Sequence, residues 1–370
     1  MRILLCAAAI AIGAPAMAAK LTIERIYADP DINGPSPRAL KIAPDGSRVT
    51  FLKGRDSDQN QLDLWAFDVA SGTTRRLVDS TSLGPATELS DAEKARRERE
   101  RIAQLRGIVS YRWSPDSRKI LFGVGERLWL YDLDAKPGAE LRGLTPAGLD
   151  VIDAQVSPKG RYVSFVSKQN LYTIDLQTSL NYQLTRDGKG PIHNGEAEFV
   201  AQEEMARTTG YWWAPDDSLI AFEHYDESGV DEVKRTEVYA DRTETVTQHY
   251  PAAGRPNVSV RLGLVRPHDA RVRWVDLGKA GSDSKNPGRN GDIYLARVNW
   301  LPDASALVFQ RESRDQQHLE LVLVDADSLH HRPVLEETSA TWINLNDDLR
   351  FLKHENAFVW ASEQSGHKHL

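Results

Sequence analysis

Short alternating runs, each introduced by the same kind of turn, dominate the hydrophobic pattern of this chain. Five stretches read small-Pro-Asp-x-x-x-apolar-x-Phe: Ala43–Phe51, Ser114–Phe122, Ser157–Phe165, Ala214–Phe222 and Leu301–Phe309. The third copy carries Lys159 in place of the aspartate, and the last opens on Leu301. Proline presets φ and aspartate bonds back to the chain, so each Pro-Asp tetrad predicts a tight turn. The alternating residues behind each turn predict a short, half-buried strand. A second strand ending in aspartate follows several copies, at Asp63–Asp68, Arg127–Asp132, Asn170–Asp175 and Leu319–Asp325.

The copies at Ser114 and Ser157 stand 43 residues apart, the length of one four-stranded propeller blade, and the longer intervals leave room for insertions. The repeat has no regular helical partner, which argues against a parallel βαβ sheet. A plain β-sandwich with fortuitous turn similarity is the competing architecture. The expectation is therefore an all-β fold, a partial β-propeller of about five to six blades with short helical insertions.

Two insertions interrupt the pattern. In Glu88–Gly107, Ser90 and Glu93 form a capping box, Glu93 can pair with Arg97, and Gly107 can end the helix. The face of this helix is barely apolar, so it must stand in solvent or over a cavity. The second insertion, Gly195–Gly210, carries the adjacent acids Glu203 and Glu204, with Phe199, Val200 and Met205 available as anchors. Farther on, Lys279–Asn290 reads as an exposed loop.

Composition narrows the function classes. A net charge of −7 argues against a nucleic-acid surface and supplies no membrane-binding field. Met1–Ala18 has one basic residue, an apolar centre and a small-x-small ending, which reads as a secretory signal cleaved before Ala19. The single cysteine, Cys6, lies inside that apolar run, so the mature chain would have no disulfide, thiolate metal site or cysteine nucleophile. Export without disulfides suits a periplasm, with full secretion left open. No Gly-x-Ser-x-Gly elbow, Walker loop, HExxH or dinucleotide fingerprint occurs, and no catalytic residue, cofactor or metal is assigned. His330, His331, His367 and His369 are placed on loops.

Glu203 and Glu204 are the candidate binding residues. Neighbouring anions repel, and a site that sets two side by side invites a cation; an α-ammonium, with three donors and one charge, fits. For a bare Glu-Glu dipeptide the alternative is a solvated acidic helix face. Tyr211, Trp212 and Trp213 follow closely, either lining a pocket or packing a blade. Asp226 and Glu227 could support the insertion by pairing with Arg235.

Several segments carry a resemblance to a known family: Leu21–Pro30, Arg96–Ile102, Glu198–Asp216, Asp226–Val230, Glu237–Gly254, Asp292–Asp303, Thr341–Leu352 and Phe358–Leu370. Together they resemble the bacterial type of the dipeptidyl peptidase IV family, serine exopeptidases of the prolyl oligopeptidase clan. The resemblance implies a propeller of about eight blades followed by an α/β-hydrolase domain bearing a Ser-Asp-His triad. On this basis 19–370 is an incomplete N-terminal propeller, and the triad would lie beyond Leu370, so this polypeptide alone should be inactive.

Carried over, Glu203 and Glu204 would hold the substrate α-ammonium, and an arginine of the first insertion would orient the substrate carbonyl. Of Arg97, Arg99 and Arg101, Arg101 is the choice for that role. The expected function is docking of peptide N-termini for release of Xaa-Pro or Xaa-Ala dipeptides. The alternatives are a non-catalytic peptide-binding propeller and an inactive truncated product. The expected partners are small peptides and the hydrolase domain, with a homodimer, common in the family, as a further possibility.

Overall fold

The structure, a computed structural model, describes residues 21–28, 31–84, 89, 91–125, 127–278, 292–352, 355 and 357–370. The expected signal at 1–18, Ser90 of the capping box and the loop at 279–290 lie outside these residues.

Each Pro-Asp turn joins the first strand of a sheet to its second. The turns share one backbone solution. The N–H of the residue before proline bonds five residues ahead, as in Ala43 to Arg48 O (2.9 Å) and Leu301 to Ala306 O (2.9 Å). The last residue of the tetrad has positive φ at Gly46, Ser117, Gly160, Asp217 and Ala304. The turn aspartate accepts from the N–H two residues on, at Ser47, Arg118, Ser218 and Ser305. Where Lys159 replaces it, the Lys159 N–H instead donates to Asp217 of the next turn (2.9 Å). A second link between turns joins the Asp45 N–H to Ser117 Oγ (2.9 Å).

Five antiparallel sheets result, each with strand order following chain order. Blade 1 comprises Arg38–Ile42, Arg48–Arg55, Asp58–Asp68 and Thr73–Val78. Blade 2 comprises Tyr111–Trp113, Lys119–Gly123, Leu128–Asp132 and Leu141–Gly143; blade 3 Ile152–Val156, Tyr162–Ser167, Asn170–Asp175 and Asn181–Gln183. Blade 4 has a divided first strand, Ile192–Asn194 and Tyr211–Trp213, then Ile220–Asp226, Ser259–Arg266 and Asp269–Val275. Blade 5 comprises Ile293–Trp300, Ala306–Ser313, His318–Asp325 and His331–Thr338. A two-stranded sheet, Arg350–Phe351 with Phe358–Val359, follows. The architecture is a partial β-propeller.

The core lies between successive blades. Leu52 and Leu64 meet Ile120 and Phe122; Leu121 and Leu130 meet Val163 and Phe165; Leu262 and Leu264 meet Leu307 and Phe309. Each fully buried aliphatic or aromatic side chain of this kind contributes about 1.5–3 kcal/mol of transfer free energy.

Three details differ from the sequence-based expectation. The first insertion helix is shorter, Asp91–Arg99, and Gly107 does not end it. Arg101, at φ 55°, is the left-handed residue past the helix, with Ile102 N–H bonded to Arg97 O (2.8 Å) and Arg101 N–H to Glu98 O (3.0 Å). Gly107 instead lies in a two-residue strand parallel to Gln61–Leu62. Its φ is +75°, and a Cβ there would stand 2.5 Å from Leu62 O. His331 opens a blade 5 strand rather than sitting on a loop. Arg235 pairs with Glu237 (2.6 Å) and Gln248 (2.9 Å) on the exposed hairpin Glu232–Val238/Thr243–His249, leaving Asp226 and Glu227 aside.

Candidate functional site

The glutamate insertion grows from a break in the first strand of blade 4. Asn194 pairs with His224 and Tyr211 with Phe222, so Glu223 faces the gap. Its backbone spans the break, accepting from Gly195 N–H (2.8 Å) and donating to Gly210 O (2.8 Å). Glu196 and Thr209 bridge just above the neck. A Cβ at Gly210 would stand 2.2 Å from the Glu196 backbone, which is why glycine occupies this position.

Above the neck the chain forms the helix Phe199–Glu203. Glu198 caps it, accepting from Val200 N–H (2.6 Å) and Ala201 N–H (2.8 Å). Ala201 and Met205 bury against Ala197, Tyr294 and Ala296, with Val200 packed alongside. Phe199 meets Tyr250 edge-on at 5.6 Å. All three expected anchors are therefore used.

A buried ion pair fastens the returning chain. Arg207 Nη1 donates to Glu223 Oε2 (2.6 Å) and Thr209 O (2.9 Å), and Nη2 donates to Leu295 O of blade 5 (3.1 Å). Arg207 Nε and Glu223 Oε1 are buried with no hydrogen-bond partner among the described residues. Burial, then the Glu223 charge, pushes the Glu198 carboxyl up to about 7, against the pull of the two backbone N–H groups it caps.

This scaffold presents Glu203 and Glu204, both exposed, at the end of the helix. Glu204 is its C-cap, with its N–H bonded to Val200 O (2.8 Å), and its carboxylate has no cationic partner among the described residues. Glu203 Oε1 accepts from Arg99 Nε (2.5 Å). Arg99 also donates to Gln202 Oε1 (3.0 Å), and Gln202 Nε2 donates to Ala197 O (2.6 Å). The two insertions thus touch through Arg99. Arg97 donates to Glu93 of its own helix (2.6 Å) and to Leu105 O beyond the helix end (2.7 Å). Arg101 is exposed and serves as the residue past the helix end.

With Arg99 on one carboxylate and the other unpaired, the glutamate pair retains one negative charge. It stands beside a cavity of about 600 Å³ whose lining includes Arg99, Gln202 and Thr208, together with Val109, Tyr111 and Ile152.

The aromatic triplet packs blades. Tyr211 is fully buried and donates to Asp153 O; Trp213 Nε1 donates to Ser164 Oγ (2.7 Å) and its ring stacks on Tyr162 at 5.8 Å. The Trp212 carbonyl accepts from Trp300 Nε1 (3.0 Å). Sequence reasoning missed Arg207, Glu223 and Glu198. Glu223 carried a signal, since a carboxylate inside the apolar run Ile220–Tyr225 demands a buried partner.

Comparison with known proteins agrees with this architecture. The family described as "Dipeptidyl peptidase IV (DPP IV) N-terminal region" matches residues 123–370. Dipeptidyl peptidase 8 of Mus musculus is 25% identical over 390 residues, covering 88% of this chain and 43% of the relative. A probable dipeptidyl-aminopeptidase B of Talaromyces marneffei is 29% identical over 213 residues, covering 54% of this chain and 23% of the relative. Among solved structures, Porphyromonas gingivalis dipeptidyl peptidase 4 superimposes with a TM-score of 0.67 at 24% identity, covering 90% of this chain and 44% of that one. The chain spans less than half the length of these relatives. Because the family match takes in more than half of the residues, the chain belongs to the dipeptidyl peptidase IV family, in its N-terminal region.

Proposed function

We propose that this chain is the substrate-docking propeller part of a dipeptidyl peptidase IV-like serine peptidase, and that Glu203 and Glu204 grip the α-ammonium of a peptide. The observation that carries the reading is the pair itself, raised out of a broken blade strand on a buried scaffold and set beside a cavity. The relatives are named as dipeptidyl peptidases and a dipeptidyl-aminopeptidase, chemistry that requires a free N-terminus to be recognised. An ammonium placed between the carboxylates adds its charge to a pair that Arg99 only half neutralises. An internal peptide bond brings no such cation, so the pair selects chain ends. Arg99 is our choice over Arg101 for steering the first carbonyl, because it already lies against Glu203. The resemblance further suggests proline or alanine as the second residue.

The test is calorimetric binding of Ala-Pro-Ala and its N-acetyl derivative to this chain and to Glu204→Gln. A charge-assisted contact is worth about 1.5–3 kcal/mol, so acetylation should weaken binding by about tenfold or more, and Glu204→Gln should remove most of that difference. Equal affinity for the two peptides would refute the clamp.

A further inference from the structure

Two hollows share lining residues from blades 1 and 2. One is the cavity beside the glutamates; the other, of about 440 Å³, opens next to Ile42, Trp113 and Gln155. Lys41 and Arg112 line both. We propose that these two residues form a receptor for a carboxylate on the ligand of this cavity, so that the site takes short peptides with an anionic far end. The proposal rests on the reading that Glu203 and Glu204 hold the near end.

The argument is one of uncompensated charge. Lys41 lies on the first strand of blade 1, half-buried. Its Nζ donates to the Tyr111 carbonyl and stands 4.8 Å over the Tyr111 ring centroid. It has no carboxylate partner among the described residues. An ammonium has three donors, so one carbonyl leaves it capacity for a ligand. Burial, and then the neighbouring Arg112 charge, depress its pKa, as expected for a cation held beside another cation.

Arg112 does have a carboxylate, Asp153, at 2.9 Å from Nη2. That carboxylate is already shared with Thr209 Oγ1 (2.5 Å) and Gln155 Nε2 (3.1 Å), and burial pushes its pKa up. Asp153 is therefore heavily shared, and Lys41 is left with no acid among the described residues. The Arg112 side chain remains half exposed, leaving other guanidinium donors open. A carboxylate from the ligand would satisfy both cations and lift the Lys41 penalty.

Geometry joins the two ends. Arg99, bonded to Glu203, and Lys41 line the same cavity. Its volume falls within the roughly 300–1,000 Å³ typical of small-ligand sites, which suits a short peptide lying along apolar walls such as Val109 and Ile152.

The test uses the full chain and four tripeptides: Ala-Pro-Ala, its N-acetyl form, its C-terminal amide, and Ala-Pro-Asp-amide. Affinities are measured for the natural chain and for Lys41→Met, which keeps an unbranched apolar stem over Tyr111. Amidation should weaken binding about tenfold, the effect of losing one charge-assisted bond. Lys41→Met should weaken the free acid by a similar factor and leave the amide unchanged, and Lys41→Arg should restore the free acid.

Recovery of affinity with Ala-Pro-Asp-amide would identify an acidic side chain as an accepted source of the carboxylate. No recovery would restrict the receptor to a chain terminus. Equal binding of free acid and amide overturns the proposal, and if acetylation still weakens binding the glutamate reading survives alone. An amidation effect without an acetylation effect supports the receptor and removes the glutamate clamp. Failure of Ala-Pro-Ala to bind overturns both.

Discussion

Two helices meet across the cavity, and different forces hold them. Asp91–Arg99 is tied mainly by charge: Glu93 to Arg96 and Arg97, Arg96 to Glu100, and Arg99 to Glu203. Phe199–Glu203 is only five residues long, too short to be stable alone. It is held by the cluster around Met205, the Glu198 cap and the buried Arg207–Glu223 pair. The contrast separates an acidic platform seated on a buried cluster from a polar partner whose link to the glutamates, Arg99 to Glu203, is exposed. Exposed ion pairs contribute about 0–1 kcal/mol, whereas breaking a buried pair costs about 3–5 kcal/mol.

Four substitutions would break or sharpen that contrast. The largest effect is expected for Arg207→Met, which strands the Glu223 carboxylate and frees the Thr209 and Leu295 carbonyls. Urea unfolding should show a loss of about 3–5 kcal/mol. The double variant Arg207→Met/Glu223→Met should recover much of it, because no unpaired charge is left behind. If single and double variants are equally unstable, the ion pair is not the fastening.

Met205→Ala comes next. It opens a void against Tyr294 and Ala296 and should cost about 2–4 kcal/mol in the same assay.

The third concerns Glu198. Its folded pKa of about 7 lies above its ordinary 4.5. Between these values the folded state binds more protons than the unfolded chain, so stability falls as pH rises from about 4.5 to 7 and then levels. The fall amounts to at most about 3 kcal/mol. Glu312, raised to about 7 chiefly by burial, contributes in the same window and direction. Asp79, lowered to about 2, acts only in more acidic solution. Glu198→Gln should flatten part of the slope between pH 5 and 7 and leave the Glu312 share. An unchanged slope would show that the helix cap does not titrate there.

The smallest effect is expected on the other side of the cavity. Arg99→Met removes an exposed pair and should shift stability by no more than about 0.5 kcal/mol. A loss comparable to that of Met205→Ala would erase the distinction between the two helices.

The blade pattern was legible because it is local. Each Pro-Asp tetrad needs only its own residues to form a turn, and the alternation behind it reports which face is buried. Even Ala304, a poor candidate for positive φ, follows the repeat. The first insertion was harder to read. A polar helix has no apolar stripe to mark its end, and the left-handed role went to Arg101 while Gly107 was drawn into pairing with Leu62. The choice among arginines depended on where that helix points, which no spacing encodes.

What the sequence alone determined, then, was the repeating turn-and-strand unit, its all-β architecture and the acidic pair at Glu203 and Glu204. These follow from contacts between residues close in the chain. The tertiary structure decided which residues support the pair: Glu223 facing the strand break, Arg207 reaching Leu295 in the next blade, and Arg99 arriving from another insertion. Those partners lie 16, 88 and 104 positions apart in the chain. Glu223 and Arg207 meet because a buried charge demands a counter-charge, whereas the Leu295 and Arg99 contacts form because the fold brings the next blade and another insertion within hydrogen-bond reach.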